Sequence, residues 1–241
     1  MKKIKFIYLC TMLSCSISFA QEKPTQEIDP SKPTNLYTQF NTLSEINKYD
    51  EFSTYGTRLN FEYAFNPDNL LLVEVPFLYN DLTKKTGLSD TRIRYFNAVK
   101  RNISKTIIAI APFVDISIPT GNSNYGLGEG TWSLAAGAVV GMVISEKVAL
   151  FPGVNYVYLT KLSESGFGLQ TNMSVSFSKK SFLFVNPIVT FFSFDTIVQA
   201  ELNYNYILKP NKFKVNLGWL PNFTNNINTI RLGASFFLYS I

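Results

Sequence analysis

The amino-acid sequence predicts a transmembrane, antiparallel up-and-down β-barrel of about twelve strands that is preceded by a cleaved signal peptide. The chain begins with a secretory signal, later segments alternate apolar and polar residues, and short turns alternate with longer loops. Although 46% of the residues are hydrophobic and 15% aromatic, no segment after the signal is long and apolar enough for a spanning helix. A lipid-facing surface without helices requires a closed barrel, because an open sheet edge leaves backbone groups unpaired.

The N-terminus indicates the compartment. Residues 1–5 are basic, residues 6–19 are mostly apolar, and Ser18 and Ala20 are the small residues that a signal peptidase reads. We therefore predict a signal peptide over residues 1–20. A single membrane-anchoring helix is one alternative, although the apolar run is short for a span of about 20 residues. A lipoprotein signal that ends at Cys15 is another.

The residues that follow the signal divide into two regions. Residues 21–34 are polar and contain Pro24, Pro30 and Pro33, which favours a disordered periplasmic lead-in. Residues 35–241 carry the strand pattern and form the predicted outer-membrane barrel. The first strand is predicted over residues 35–42, with an outer loop over residues 43–52.

From Ser53 the alternation is clear. In the second strand the predicted outward face is continuous and apolar, whereas the opposite face carries both Arg58 and Glu62. The composition alone also fits a secreted β-sandwich, but a sandwich core does not have one apolar and one doubly charged face. The predicted outward residues of this strand are Tyr55, Thr57, Leu59, Phe61, Tyr63 and Phe65.

Later segments repeat this pattern to the end of the chain. The strand over residues 167–177 has a wholly polar inner face, and the strand over residues 198–206 places Glu201 among amides. Tyrosines and tryptophans fall near predicted strand ends, as expected for aromatic girdles at the membrane interfaces. The predicted inward residues of these two strands are Gln170, Asn172, Ser174, Ser176, Gln199, Glu201, Asn203 and Asn205.

The connections give the topology. Short turns are predicted at residues 66–69, 100–104, 145–147, 179–181 and 209–212. If the lead-in is periplasmic, every short turn lies on the periplasmic side and the mostly longer loops lie outside, with a very short outer loop near Asp195. An even strand number is usual for single-chain bacterial barrels. These features place the chain in the outer membrane of a Gram-negative bacterium.

The final strand contains a conflict. Ile230, Leu232 and Phe236 predict one outward face, whereas an outward residue at the very end of the chain, Ile241, predicts the other. A β-bulge near Ser235–Phe236 would reconcile the two patterns.

The residue inventory argues against several functions. Both cysteines, Cys10 and Cys15, lie inside the signal, and the sequence contains no histidine. We therefore predict no catalytic residues, no metal site and no cofactor, since disulfides, thiolates and imidazoles are unavailable to the mature chain. Removal of the signal's three lysines lowers the formal charge from +5 to +2, too weak a bias for nucleic-acid binding.

Inward-facing charges are the candidate functional residues. Glu62, Glu74, Arg92 and Arg94 lie on three consecutive predicted strands at mid-depth. They form either a salt-bridge network that neutralises the lumen or a charged constriction that filters solutes. The full set of constriction candidates is Arg58, Glu62, Glu74, Asp90, Arg92, Arg94, Asp115, Glu201 and Lys214.

A Gly-rich segment over residues 119–130 is the longest clearly bounded outer loop. It lacks the Lys-Ser/Thr of a P-loop and enters no helix, so glycines for tight turns explain it better than a phosphate site. Whether it folds inward as a gate or only turns the chain is left open. The loop and gate candidates are Pro119, Thr120, Gly121, Gly126, Gly128 and Gly130.

Two segments resemble a known family. Ile118-Pro119-Thr120-Gly121 followed by Gly126-Leu127-Gly128-Glu129-Gly130-Thr131-Trp132-Ser133 resembles the signature of the "MetA-pathway of phenol degradation" outer-membrane family. Thr86-Gly87-Leu88-Ser89-Asp90 resembles the family's earlier Gly-Asp hairpin, with Ser89 where Gly is usual. The resemblance implies a transporter-like barrel that passes aromatic or other hydrophobic compounds.

The predicted function is accordingly an outer-membrane channel for passive passage of small, aromatic or hydrophobic molecules. The alternative is a non-conducting barrel that displays loops or braces the envelope. The expected partners are outer-membrane lipid, the barrel assembly machinery and small-molecule solutes, with no nucleic acid. The oligomeric state is left open.

Overall fold

The regular structure of this protein is almost entirely β. We describe a computed structural model that covers residues 28–32 and 34–239; the predicted signal peptide lies outside these residues. The strands are β1 (Thr38–Lys48), β2 (Ser53–Asn66), β3 (Asn69–Asn80), β4 (Lys85–Leu88), β5 (Thr91–Asn97), β6 (Lys100–Arg101), β7 (Ile107–Ile118), β8 (Ser133–Val143), β9 (Val148–Leu159), β10 (Glu164–Ser176), β11 (Ser181–Phe192), β12 (Thr196–Lys209), β13 (Phe213–Asn222) and β14 (Ile227–Tyr239). Within the described ranges, no helix has the length and apolarity needed to cross a membrane.

The sheet closes on itself into a barrel. Ladders between neighbouring strands are all antiparallel, and β1 pairs with β14 from Thr38 opposite Tyr239 to Lys48 opposite Asn228. The short segments β4, β5 and β6 are successive pieces of one pass, because β4 and β5 both pair with β3 and β5 and β6 both pair with β7. The barrel therefore has twelve passes, which confirms the predicted fold class.

Apolar side chains face outward and polar side chains face inward, the reverse of a soluble protein. Phe65 and Leu232 are 51% and 64% exposed, whereas Asn205 and Ser235 are 2% and 1% exposed. Successive residues of a strand point to opposite faces, so the alternation in the sequence sorts them between two environments. An apolar exterior on a closed barrel is the arrangement that lipid requires. The protein is thus a multi-pass protein of the Gram-negative outer membrane.

The predicted alternation of short turns with longer outer loops was wrong for most of the barrel, because the outer connections other than residues 119–132 are as short as the turns at the opposite end. β1 continues to Lys48, so the predicted loop over residues 43–52 was wrong and shrinks to residues 49–52. The connections after β3 and β13 are likewise short, over residues 81–84 and 223–226. The strands extend because these hairpins continue to pair their backbone groups as far as the turn, for example at Lys48 opposite Ser53 and Asn80 opposite Lys85. Only residues 119–132 form a long outer connection in the described part of the chain.

The final strand follows the first of the two predicted patterns. Phe236 and Leu238 are 43% and 48% exposed, whereas Phe237 is 7% exposed and lies inside. Pairing with β13 is regular from Phe213 opposite Phe236 onward, so the bulge expected near Ser235–Phe236 is absent from this ladder. The irregularity lies instead in the β1–β14 ladder, where Thr38 is opposite Tyr239 and Gln39 is opposite Phe237, so that Leu238 is the extra residue of β14. Ile241 lies outside the described residues.

Candidate functional site in the barrel lumen

The lumen contains a cavity of about 390 Å³ in the half of the barrel that holds the N-terminal segment, which is the periplasmic half in the predicted topology. It extends from the N-terminal segment to charged side chains at mid-depth. Strands from the whole circumference contribute to its wall. Among the lining residues are Gln39, Asn60, Glu62, Leu72, Glu74, Arg94, Phe96, Phe151, Asn172, Asn186, Glu201, Lys214, Asn216 and Arg231.

A buried carboxylate on β1 organises the charges where the barrel closes. The Glu45 side chain is 0% exposed, and it accepts hydrogen bonds from Arg58 Nε at 2.8 Å and Arg58 Nη2 at 3.0 Å on β2. Arg231 Nε on β14 donates to the same carboxylate at 3.0 Å. Arg58 also forms an ion pair with Glu74 on β3. One continuous network therefore joins β14, β1, β2 and β3.

A second charged group lies farther along the wall. Asp115 on β7 accepts hydrogen bonds from Arg92 Nε at 2.9 Å and from Arg94 Nε at 2.8 Å, both on β5. The Arg94 guanidinium lies 5.4 Å from the Phe96 ring centre and 5.1 Å from that of Phe113. Aromatic faces attract cations, so the two rings add to the ion pair in holding Arg94 against the wall.

The remaining predicted constriction residues form smaller local contacts. Glu62 accepts a hydrogen bond from Asn41 Nδ2 at 3.1 Å, and Glu201 accepts one from Asn203 Nδ2 at 2.6 Å. Lys214, which is 7% exposed, donates to Asn205 Oδ1 at 3.2 Å and lies 5.8 Å from the Phe182 ring centre. The three residues therefore lie on separate strands, β2, β12 and β13, and belong to neither of the two charged groups.

The structure thus brings together some of the predicted residues and separates others. Arg58 joins Glu74, and Arg92 and Arg94 join Asp115, whereas Asp90 lies at the outer rim and takes no part in either group. Sequence reasoning missed Glu45, because it assigned that residue to an outer loop. If the first strand had been extended to Lys48, the alternation would have placed Glu45 on the inward face. The sequence therefore contained this information, although the alternation in β1 is weak.

The N-terminal segment over residues 28–32 and 34–37 packs into the periplasmic mouth. Ile28 N donates to Asn211 Oδ1 at 2.9 Å in the β12–β13 turn, and Arg101 Nη1 on β6 donates to Thr34 O at 2.8 Å. These two anchor points lie on different sides of the barrel, so the segment crosses the opening between them. Ile28 and Thr34 are each 7% exposed.

This segment then returns to the wall where β1 begins. The Tyr37 ring packs edge-to-face on Phe237 of β14, with ring centres 5.3 Å apart, and Ile28 joins the same apolar cluster. Such an aromatic pair contributes about 0.5–1.5 kcal/mol beyond its buried area. The predicted domain boundaries stay predictions, but the described end of the lead-in narrows the periplasmic side of the cavity.

The long outer loop is fastened to the junction between β4 and β5. Asp90 accepts hydrogen bonds from Gly121 N at 3.1 Å and Glu129 N at 2.7 Å. Thr120 Oγ1 donates to Ser89 O at 2.7 Å. The two segments that carry the family resemblance are therefore in direct contact, which gives a physical reason for their occurrence together.

The loop glycines have separate structural reasons. A Cβ at Gly128 would lie 2.3 Å from Asp90 Oδ1, so a side chain there would displace the carboxylate that holds the loop. Gly126 and Gly130 have φ angles of 63° and 66°, a region that glycine adopts at little cost. Gly126 also ends a single 3-10 turn over Ser123–Tyr125.

The loop reaches over the outer rim toward the β1–β2 connection. Leu127 is 3% exposed, and Thr83 Oγ1 donates to Tyr125 O at 3.0 Å. Burial raises the pKa of Tyr49 in the β1–β2 loop, and the negative charge of Glu129 adds to this shift. The loop therefore leans across the β3–β4 hairpin and covers one side of the outer mouth.

Comparisons with known proteins support the barrel fold. The sequence matches no protein-family model, and no curated protein matches it either. Among solved structures, the NanC porin is similar at a TM-score of 0.64 and 9% identity, over 82% of this chain and 98% of that one. An outer membrane channel from Pseudomonas putida F1 is similar at a TM-score of 0.62 and 12% identity, over 87% and 99%. The KdgM porin in complex with disordered oligogalacturonate is similar at a TM-score of 0.61 and 10% identity, over 82% of this chain and 98% of that one. At these identities the likeness establishes the barrel fold.

Proposed function

We propose that this protein is a passive outer-membrane channel for small molecules. The observation that carries the proposal is the cavity of about 390 Å³ inside a closed barrel of twelve passes. About eight strands give an interior filled by side chains and 16–18 strands an aqueous channel, so a narrow path is expected at twelve. The N-terminal segment restricts that path on one side and the outer loop on the other.

We also propose that the chain is a relative of the MetA-pathway outer-membrane family, whose members are supposed to pass aromatic or hydrophobic compounds. Contact between the two family-like segments, through Asp90 and the backbone of Gly121, supports this assignment. The apolar side of the cavity, with Phe96 and Phe151, supports passage of a solute that has an apolar ring face. Catalysis forms no part of the proposal, since the mature chain contains neither histidine nor cysteine.

Flux through proteoliposomes tests the channel proposal. Mature protein should pass glycerol and chloride above the background of empty vesicles, and benzyl alcohol should test the aromatic preference. A variant that lacks residues 21–34 should pass glycerol and chloride faster, because Ile28 and Thr34 then no longer narrow the periplasmic mouth. Background flux from both proteins would refute a channel.

The rival function is a non-conducting barrel that braces the envelope. The observation in its favour is the extent of ion pairing, since Glu45, Arg58, Glu74 and Arg231 form one network across four strands. The double substitution Glu74→Ala with Arg94→Ala separates the two functions. A channel should change its conductance or charge selectivity, whereas a brace should only lose stability and stay at background permeability.

A further inference from the structure

The two charged groups of the lumen differ in their balance of charge. The group at the barrel closure contains two guanidinium groups and two carboxylates, so it is neutral as a whole. The group on β5 and β7 contains Arg92 and Arg94 but only one carboxylate, that of Asp115, so it has one excess positive charge. The side chains of Arg92 and Arg94 are 37% and 21% exposed, so a solute in the lumen can reach both. This wall of the lumen is therefore cationic.

Glu201 on β12 supplies a negative charge that has no cation beside it. Its carboxylate accepts a hydrogen bond from Asn203 Nδ2 at 2.6 Å but forms no ion pair within the described part of the chain. Glu201 is only partly buried, and it lines the same cavity as Arg94. Its charge acts on Arg92 from across the lumen. A carboxylate in this position is available to a solute.

The strand order places Glu201 directly across the lumen from the two arginines. The pieces β4, β5 and β6 form the fourth pass of the barrel, and β12 forms the tenth. In a closed barrel of twelve passes, the fourth and the tenth are diametrically opposite. Arg92 and Arg94 therefore face the wall that carries Glu201.

The register also places these residues at the same depth. Pairing from Glu201 through β11, β10, β9, β8 and β7 leads to Arg101 at one end of the fourth pass. Pairing in the other direction, through β13, β14, β1, β2 and β3, leads to Lys85 at the other end. The strands of a closed barrel are tilted, so the point of equal depth on the far wall lies midway between these two ends. That midpoint is Ile93, the residue between Arg92 and Arg94.

We propose that this cross-section of the lumen is a selectivity site for small zwitterionic solutes, of which an α-amino acid is the simplest. The carboxylate of such a solute lies toward Arg92 and Arg94, and its ammonium group lies toward Glu201. Neither arginine forms an ion pair with Glu201 within the described residues, so a gap remains between the two walls. The inference rests on the proposed channel function, for which it names a class of solute.

Solutes of other charge types gain less at this cross-section. An anion is attracted by the arginines and repelled by Glu201, and a cation meets the reverse, so the two contributions oppose each other. An uncharged solute of the same size gains no charge contact at either wall. A zwitterion is attracted at both walls, because its two charges complement theirs. Charged side chains that line a pore select among solutes on this physical basis.

Two isomers test the inference on the unmodified protein. L-Alanine is a zwitterion, whereas lactamide has the same atomic composition and no charged group, so the two differ in charge but hardly in size. Uptake of each labelled isomer into proteoliposomes is measured, and uptake by empty vesicles is subtracted. At low ionic strength alanine should enter about threefold faster than lactamide, an effect of the size expected for a solvent-exposed ion pair. This preference should shrink in 1 M salt, where charges are screened beyond about 3 Å.

Glu201→Gln is the critical variant, because it removes the anionic charge and keeps an oxygen that can accept from Asn203. It should lower alanine uptake to the rate of lactamide and leave lactamide uptake unchanged. Glu62→Gln is the matched control, since it also removes one lumenal carboxylate, but at a different depth. Glu62 lies four residues beyond Arg58 on β2, toward the end of the barrel that holds the N-terminal segment. This control should keep the preference for alanine, and a heat-dependent shift in gel mobility should show that each variant is folded.

The outcomes separate the zwitterion inference from the channel proposal. Equal uptake of the two isomers by the unmodified protein would overturn the inference and leave the channel intact. A preference for alanine that survives in Glu201→Gln, or that Glu62→Gln also abolishes, would overturn it as well. If neither isomer, glycerol nor chloride entered above background, the channel would be refuted and the inference with it.

Discussion

Replacement of Glu45 by glutamine should weaken the barrel where its first and last strands meet. The carboxylate is fully buried and receives three hydrogen bonds from two guanidinium groups, at 2.8, 3.0 and 3.0 Å. Breaking a buried ion pair by removal of one partner costs about 3–5 kcal/mol. Arg58 keeps its pair with Glu74, so we expect a loss near the lower end, about 3 kcal/mol of the free energy of unfolding.

Reversible urea unfolding in lipid vesicles measures this loss. Glu62→Gln is the matched control, because Glu62 also faces the lumen and accepts a hydrogen bond from the Asn41 amide, but forms no ion pair within the described part of the chain. Its glutamine variant should lose no more than about 1 kcal/mol, the net contribution of an ordinary hydrogen bond. The difference between the two variants isolates the contribution of the guanidinium contacts.

Glu45→Gln should also change the ion selectivity of the channel. Loss of the Glu45 charge leaves Arg231 without its carboxylate, so the lumen gains a positive charge and a conducting channel should become more anion-selective. If Glu45→Gln unfolds within about 0.5 kcal/mol of the unmodified protein, as a neutral surface change does, the network does not stabilise the closure and our reasoning is refuted.

Three further changes address the two mouths and the N-terminus. Asp90→Ala removes the acceptor of two loop amides, so protease should cleave residues 119–132 faster, while Asp81→Ala at a neighbouring outer loop should leave that rate unchanged. Deletion of Asn122–Tyr125 should raise glycerol flux if the loop covers the outer mouth, and unchanged flux would show that the loop only turns the chain. N-terminal sequencing of protein from the membrane should begin at Gln21, and a lipid-modified Cys15 would contradict the predicted cleavage.

The strand pattern was predictable because two solvents act on each strand separately. Phe61 and Glu62 are neighbours in the sequence, yet one meets lipid and the other the lumen, so a period of two is imposed residue by residue. This local requirement is strong enough to give strand count and facing for most of the chain. It also decides the last strand, where Phe236 and Leu238 follow the lipid side.

The end of β1 could not be predicted in the same way. Its outward positions include Thr42 and Ser44, and its inward positions include Leu43, so the alternation is weak. The strand is held by partners distant in the sequence, since Glu45 lies opposite Gly56 of β2 on one side and Arg231 of β14 on the other. The most buried carboxylate of the lumen was missed because its environment is created only when the barrel closes.

The N-terminal segment and the outer loop also depend on contacts that composition does not encode. Pro30 and the polar residues around it are typical of disorder, yet Ile28 and Thr34 are buried. Both are held at the barrel mouth by hydrogen bonds, Ile28 with Asn211 and Thr34 with Arg101. Asp90 was grouped by parity with Arg92 and Arg94, but its carboxylate turns to the amides of the loop. Parity predicts the face of a residue and leaves its partner undetermined.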